Sequence, residues 1–291
     1  MGEIPEGRDG GRGVREGISC FIICQDENTE IVECLESVSW CDEIIVVDGG
    51  SVDGTPELCR HYTDRVFHNP WPGYVEQKRF GFAQTTQPWV LNVDADERVS
   101  PALREEIMKL LHDPPASVHG FYVRRLVYYL GRWWRRGPWY PGYRLRLVRR
   151  SRASWGGTDP HDLAIVQGRT RRLRAPLLHY TYRDICDHLA SVNRLTDVAA
   201  GLETSRPSGL AVMMRPAWRF AWTYTFAAGF REGFAGLFVC MTAAFYVFLR
   251  LAKQIEGAAA DGVVDEKYQP PSPILPFIPS YQGRGIVGDC F

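Results

Sequence analysis

The sequence predicts an α/β protein whose sheet is parallel in its first part and carries helices on both faces. Three observations predict it. Short apolar runs alternate with helix-patterned segments through the first third of the chain. Two of those runs end on an acid, Asp48 and Asp94. Beyond residue 117 the pattern changes to short β-like stretches, and then to a long apolar and aromatic segment. Alternating strand and helix signals favour parallel pairing, because a crossover helix is what joins parallel neighbours. In such sheets ligands bind beyond the carboxyl ends of the strands, where both acids sit.

Each element has its own signal. Residues 18–24 are a continuous apolar run, the pattern of a strand buried on both faces. Residues 29–38 read as a helix, and 43–47 as a second strand ending at Asp48. The glycine-rich turn 49–55 opens another helix, with Ser51 or Asp53 as its expected cap. Residues 65–68 give a third strand, 74–84 a helix, and 88–93 a fourth strand ending at Asp94. Ser100-Pro101 pairs a capping residue with an N1 proline, so 102–111 is a helix. From 118 to 180, Gly and Pro separate β-like stretches, and 184–202 reads as a helix. The segment 217–255 is apolar and aromatic, broken by Arg231 and Glu232. Its longest uncharged stretch, 233–249, reaches about 25 Å at about 1.5 Å per residue, short of the ~30 Å hydrocarbon core of a bilayer. The expectation is therefore a helical hairpin in the membrane interface, with Trp218, Trp222, Tyr224 and Tyr246 at headgroup depth, rather than a span. The competing reading is a buried pair of core helices.

The 291 residues carry 34 Lys and Arg against 34 Asp and Glu, so no global charge points to nucleic acid. The neutral total hides an asymmetry. Between Phe121 and Arg183 stand 15 Arg, no Lys and two acids, Asp159 and Asp162, a local +13 balanced by −13 elsewhere. Such a stretch is either a solvated face or a surface for polyanions, and Arg favours bidentate phosphate contacts. Trp133, Trp134, Trp139, Tyr140, Tyr143 and Trp155 interleave with it, which suits sugar stacking or a bilayer interface. Phosphate or lipid head groups are expected ahead of nucleic acid. The eight cysteines form no CxxC pair and no ligand-like spacing with His, which argues against zinc and for reduced thiols in the cytoplasm. Residues 1–17 are Gly-rich and charged, with no apolar core of a signal peptide, and read as a flexible tail. Residues 257–291 read as a loose Pro/Gly-rich tail.

Two places carry chemistry. Asp94-Ala95-Asp96-Glu97 leaves an apolar strand directly. Carboxylates at i and i+2 on such a turn can reach one hard divalent cation, Mg²⁺ or Mn²⁺, which would bridge a diphosphate. Asp48 ends the run Ile44-Ile45-Val46-Val47, where an acid can accept from a base N–H or a ribose hydroxyl. The loop after it matches neither GxGxxG nor a Walker sequence, so dinucleotide and P-loop readings fail. Ser51 and Cys24 have no activating His nearby in sequence, which argues against a covalent nucleophile.

Taken together and in order, three segments resemble family-two glycosyltransferases. They are Ser19 through Gln25-Asp26-Glu27, then Asp42 through Asp48-Gly49-Gly50-Ser51-Val52-Asp53-Gly54-Thr55, then Trp89-Val90-Leu91-Asn92-Val93-Asp94-Ala95-Asp96-Glu97 preceded by Gln77-Lys78. Within that family the chain is most similar to the bacterial lipopolysaccharide core β-1,4-glucosyltransferase group, through Arg146-Leu147-Val148-Arg149-Arg150, His161-Asp162, Leu178-His179-Tyr180 and the closing aromatic helices. The resemblance covers about residues 18 to 255.

It implies an inverting, nucleotide-sugar-dependent enzyme of the GT-A fold. Glu27 and Asp48 would hold uridine, Lys78 and Asp94 the ribose or phosphates, Asp96 the metal, and Asp162 would be the base. His179 is a candidate third metal ligand beside Asp94 and Asp96, and Arg146 a candidate clamp for a diphosphate or an acceptor phosphate. Three departures stand out: Asp26-Glu27 for the usual Asn-Glu, Val52 for Thr, and His161-Asp162 for His-Glu, which shortens the base by one methylene. Asp162 has a plainer reading as an ion-pair partner for a nearby Arg. The expected domains are a catalytic unit at 18–181 and a membrane-associated helical region at 182–256. The expected partners are a UDP-sugar, an anionic lipid-linked saccharide and the cytoplasmic face of a membrane. The rival readings are a polyprenyl-phosphate or protein glycosyltransferase, and a non-catalytic scaffold of the same fold.

Overall fold

The computed structural model describes residues 15–159, 161–202 and 207–260. The two tail readings lie largely outside these residues, as do Cys290 and the side chain of His161.

Strand β1 (Ile18–Cys24) is buried along its whole length inside a nine-stranded sheet. Its alternation explains this. Cys20, Ile22 and Cys24 join a core with helices α1 (Ile31–Val38) and α4 (Pro101–His112), through Leu35, Leu103 and Ile107. Phe21 and Ile23 enter a second core on the opposite face, under helix α3 (Tyr74–Ala83). Strands β2 (Glu43–Asp48), β3 (Val66–His68) and β4 (Trp89–Asn92) complete a parallel half in the order β3-β2-β1-β4. The register sets Cys24 beside Asp48 and Phe21 beside Asn92, so the acid-bearing turns leave from one edge.

The Arg-rich stretch supplies the other half. Beyond β4 the order continues through β8 (Gly142–Arg149), β6 (Val118–Tyr129) and β11 (Arg169–Tyr180) to β5 (Glu97–Val99), with β7 (Arg132–Trp134) paired to β6. Pairing here is mixed: β4 with β8 and β8 with β6 antiparallel, β6 with β11 parallel, β11 with β5 antiparallel. The hairpin of β9 (Ala153–Thr158) and β10 (His161–Val166) forms a sheet of its own.

Two boundaries differ from the sequence reading. Helix α2 (Thr55–Arg60) is capped by Gly54 at φ 88°, not by a side chain; Asp53 instead accepts from the N–H groups of Thr55 (3.0 Å) and Asn28 (3.0 Å). Strand β5 was not legible, since Glu97-Arg98-Val99 puts two charged residues where a buried strand signal is apolar. Ser100 does cap α4, accepting from Leu103 N–H at 3.2 Å.

The C-terminal region is helical: α5 (Ile185–Gly201), capped by Asp184; α6 (Gly209–Ala221); short turns; and α7 (Gly233–Ala260). Within Gly229–Gly257 an 18-residue window has a mean hydropathy of 1.9, so by length and composition the helix is long and apolar enough to cross a membrane. This corrects the length argument above, because the helix continues through Arg250, Lys253 and Glu256 where the uncharged run stops. The inner side of α7 packs Val239 onto Tyr129 and Trp134 of the sheet. The helices are thus partly core, as the core reading expects, while Phe234, Met241, Phe245 and Phe248 of α7 stay exposed.

Candidate active site

The site begins with the bonds that close the turn after β4. Glu97 N–H donates to Asp94 O (2.9 Å), and Asp94 N–H donates to Glu97 Oε2 (3.1 Å). Arg146 of β8 lies beneath this turn, buried at 5% exposure. Its guanidinium donates to Asn92 Oδ1 (2.6 Å) and Glu97 Oε1 (2.7 Å) and pairs with Asp94 Oδ2. Lys78 of α3, 3% exposed, approaches from the other side and bridges two carboxylates, Asp94 Oδ1 (2.8 Å) and Asp162 Oδ2 (3.0 Å). Burial opposes charge on Asp94, but Arg146 and then Lys78 overcome it and hold its carboxyl well below the usual carboxylate range.

Asp162 is brought here by the β9–β10 hairpin docking on α3. Asp159 accepts from Val75 N–H (2.9 Å) at the start of α3, beside Gly73 at φ 111°, where a Cβ would lie 2.0 Å from an Asp159 oxygen. Only glycine fits that approach. Arg79 Nε donates to Trp155 O (2.9 Å), and the Trp155 ring packs on Phe21 and Phe82. Trp155 Nε1 then donates to Asp162 Oδ2 (3.2 Å). Both acids of the Arg-rich stretch therefore face α3, and the cation on Asp162 is Lys78 rather than an arginine.

Asp96 and His179 form a second pair, with His179 Nε2 3.0 Å from Asp96 Oδ2. The β5–β11 register sets His179 beside Glu97, and Tyr180 N–H donates to Asp96 O (2.9 Å). The expected metal set of Asp94, Asp96 and His179 divides here. Both Asp94 oxygens face cations, and among the described residues no three His, Cys, Asp or Glu side chains are grouped to hold a metal. Asp96 and His179 nonetheless fit a divalent cation. Two ligands at about 2.1 Å on adjacent octahedral positions lie about 3.0 Å apart, and a carboxylate with a neutral imidazole is a donor set that suits Mn²⁺. His179 Nδ1 is buried without a hydrogen-bond partner.

The nucleoside-side candidates sit at the ends of β1 and β2. Asp48 accepts from the N–H groups of Gly50 (3.0 Å) and Ser51 (3.2 Å), so its carboxylate shapes the glycine turn. Asp26 takes φ 56°, which Asp tolerates, and its Oδ1 accepts from Val52 N–H (2.8 Å). Glu27 follows. Burial first, then Asp96, Glu30 and Asp53, push its carboxyl up to about 7.

Three participants were not singled out in the sequence, Arg125, Arg144 and Tyr74, and Trp155, expected to stack on sugar or lie at a bilayer, instead donates to Asp162. Arg125 Nη1 lies 3.6 Å from Glu97, and Arg144 has no ion-pair partner among the described residues. Partial burial and repulsion from Arg125 and Arg146 lower the Arg144 pKa, leaving a cationic cluster beside Asp162. Burial raises the Tyr74 hydroxyl, and so do Asp94, Asp96 and Glu27, which it faces. The Arg density of β6 and β8 was the available signal for the two arginines; the others needed the hairpin and α3 brought together.

The sequence of residues 19–167 matches the model of glycosyl transferase family 2, which is half of the chain. The chain belongs to that family. Its family 2 relatives include the lipopolysaccharide core biosynthesis glycosyltransferase LpsC of Rhizobium meliloti, 33% identical over 246 residues, 81% of this chain and 91% of LpsC. A glycosyltransferase of Rickettsia typhi is 29% identical over 251 residues, 81% of this chain and 86% of that one. Among solved structures, the mannosyltransferase PcManGT of Pyrobaculum calidifontis, in complex with GDP-Man and Mn²⁺, superposes with a TM-score of 0.52 at 14% identity, over 83% of this family 2 chain and 88% of its own. The fold is GT-A, with C-terminal apolar helices added.

Proposed function

We propose that the protein is an inverting glycosyltransferase that moves a hexose, glucose from UDP-glucose, to an anionic lipid-linked saccharide of the lipopolysaccharide-core type. It would work at the cytoplasmic face of a membrane, with 18–181 as catalytic unit and 182–256 as the membrane-associated region. The observation that carries the reading is the chain Asp94–Lys78–Asp162, which joins the acid after β4 to a carboxylate held at the same cleft. The name of LpsC and the cationic cluster at Arg125 and Arg144, of which Arg144 has no ion-pair partner among the described residues, support an anionic acceptor.

The chemistry follows from the groups present. Asp162 takes the proton of the acceptor hydroxyl as that oxygen bonds the anomeric carbon. The bond from that carbon to the diphosphate breaks, and its electron pair leaves with UDP. One displacement inverts the anomer. Lys78 and Trp155 hold the Asp162 carboxylate, so the shorter acid has fixed partners on two sides. Glu27 and Asp48 take the nucleoside end. Asp96 and His179 would hold Mn²⁺ or Mg²⁺, which when bound offsets charge on the leaving diphosphate.

The test is calorimetry with UDP-glucose and Mn²⁺, followed by transfer to purified lipopolysaccharide core, on wild type and Asp162→Asn. The variant should bind donor as wild type does and lose about 10²- to 10⁴-fold in turnover. Unchanged turnover would move the base elsewhere, and absence of UDP-glucose binding to wild type would overturn the donor assignment.

A further inference from the structure

Helix α6 and the turn after it carry Arg215, Trp218, Arg219 and Trp222. These lie at i, i+3, i+4 and i+7, so they share one face. With Val247 of α7 they line a groove of about 380 Å³. Trp218 is 63% and Trp222 48% exposed, with their rings 6.0 Å apart. Both arginines are exposed, and neither forms an ion pair among the described residues. Exposed indoles cost apolar hydration and unpaired guanidinia offer forked donors, so the pair of chemistries matches a phosphate at a lipid surface.

The fastening of α7 fixes how this groove meets a membrane. Val239 packs against Tyr129 and Trp134. Fourteen residues on, Lys253 Nζ donates to Asn193 O (2.9 Å), Asn193 Oδ1 (2.8 Å) and Thr196 Oγ1 (2.9 Å), and pairs with Asp197 (2.6 Å). The helix is thus held to the rest of the molecule over about 21 Å of its length. Its other side exposes Phe234, Met241, Phe245 and Phe248. A helix bound along one face cannot cross a bilayer without tearing those contacts.

We propose that α6 and α7 lie flat in one leaflet, and that the groove takes the phosphate of an anionic phospholipid between Arg215 and Arg219. The inference rests on the membrane-surface part of the proposed function and specifies the ligand and the orientation. The occupant is a lipid headgroup, because the phosphate donors stand beside the exposed indoles and apolar stripe.

The experiment floats the full chain with phosphatidylcholine vesicles and with vesicles containing phosphatidylglycerol. Wild type should prefer phosphatidylglycerol, and Arg215→Gln/Arg219→Gln should lose roughly tenfold or more of that affinity. Arg104→Gln/Lys109→Gln, an equal loss of charge on the exposed side of α4 and outside the Arg-rich stretch, should keep it. Inorganic phosphate should not displace the vesicles. With bromine-labelled lipids, the tryptophan quenching that disappears in Trp218→Phe/Trp222→Phe should come from shallow labels. Equal binding to both vesicles, equal losses in the two double variants, displacement by inorganic phosphate, or quenching from the bilayer centre would each overturn the proposal. UDP-glucose calorimetry on the same samples separates failure of the donor reading from failure of this one, since the vesicle readouts need no turnover.

Discussion

Glu27 shows how far a single residue departs from its behaviour in water. Burial, Asp96, Glu30 and Asp53 raise its carboxyl from 4.5 to about 7 in the folded chain. The unfolded chain therefore gives up this proton first. Native stability falls as pH rises from 4.5 to about 7 and is flat with respect to this group above that. Glu27→Gln, which removes the titration, should gain in melting temperature on wild type across that window. Melting curves that stay parallel would show that Glu27 is not held neutral. Its place after β1 was legible from the motif alone. The shift was not, because Asp96 reaches Glu27 only through the fold. Lys78 teaches the same lesson: sequence assigned it to the donor, while its Nζ joins two carboxylates from distant segments.

At the scale of elements, the parallel half was readable because β1, β2 and β4 are apolar runs closed by turn signals. The mixed half was not, since its strands pair out of order and β5 has three residues. Beside the β4–β8 ladder, the two halves are fastened by Arg146, which ties β8 to Asn92 of β4, to Asp94 and to Glu97, a residue with 0% exposure. Removing one partner of a buried pair leaves a desolvated charge behind. Arg146→Met keeps the volume of the stem and deletes the charge, leaving Glu97 the Asp94 N–H and, as its cation, Arg125 at 3.6 Å. It should cost about 3–5 kcal/mol, read as a lower urea midpoint at unchanged slope. A midpoint within error of wild type would mean that Arg146 serves the donor rather than the sheet.

Across the whole molecule, the zero net charge becomes an arrangement. The basic half of the sheet is met by acids from the rest of the chain: Arg146 by Asp94 and Glu97, Arg149 by Glu16, Arg132 and Arg136 by Glu232. The last of these contacts matters, because Glu232 belongs to the turn before α7. The helical region is therefore bound to the sheet by charge as well as by packing. A sequence reading could offer membrane anchor or core as alternatives; the structure gives α7 one side packed on the sheet through Val239 and another that exposes Phe234, Met241, Phe245 and Phe248. Truncation after residue 208 decides how much the core face contributes. It uncovers Tyr129 and Trp134, now 1% and 0% exposed, and strips α5 of Lys253. It also frees two arginines from Glu232. Uncovering each large side chain costs roughly 1.5–3 kcal/mol against a typical total stability of about 5–15 kcal/mol. The fragment should therefore lose its cooperative melt and elute as aggregate on gel filtration in detergent-free buffer. A monomeric fragment that melts cooperatively and binds UDP-glucose would show instead that α6 and α7 are a detachable anchor, and that the catalytic unit closes its own core.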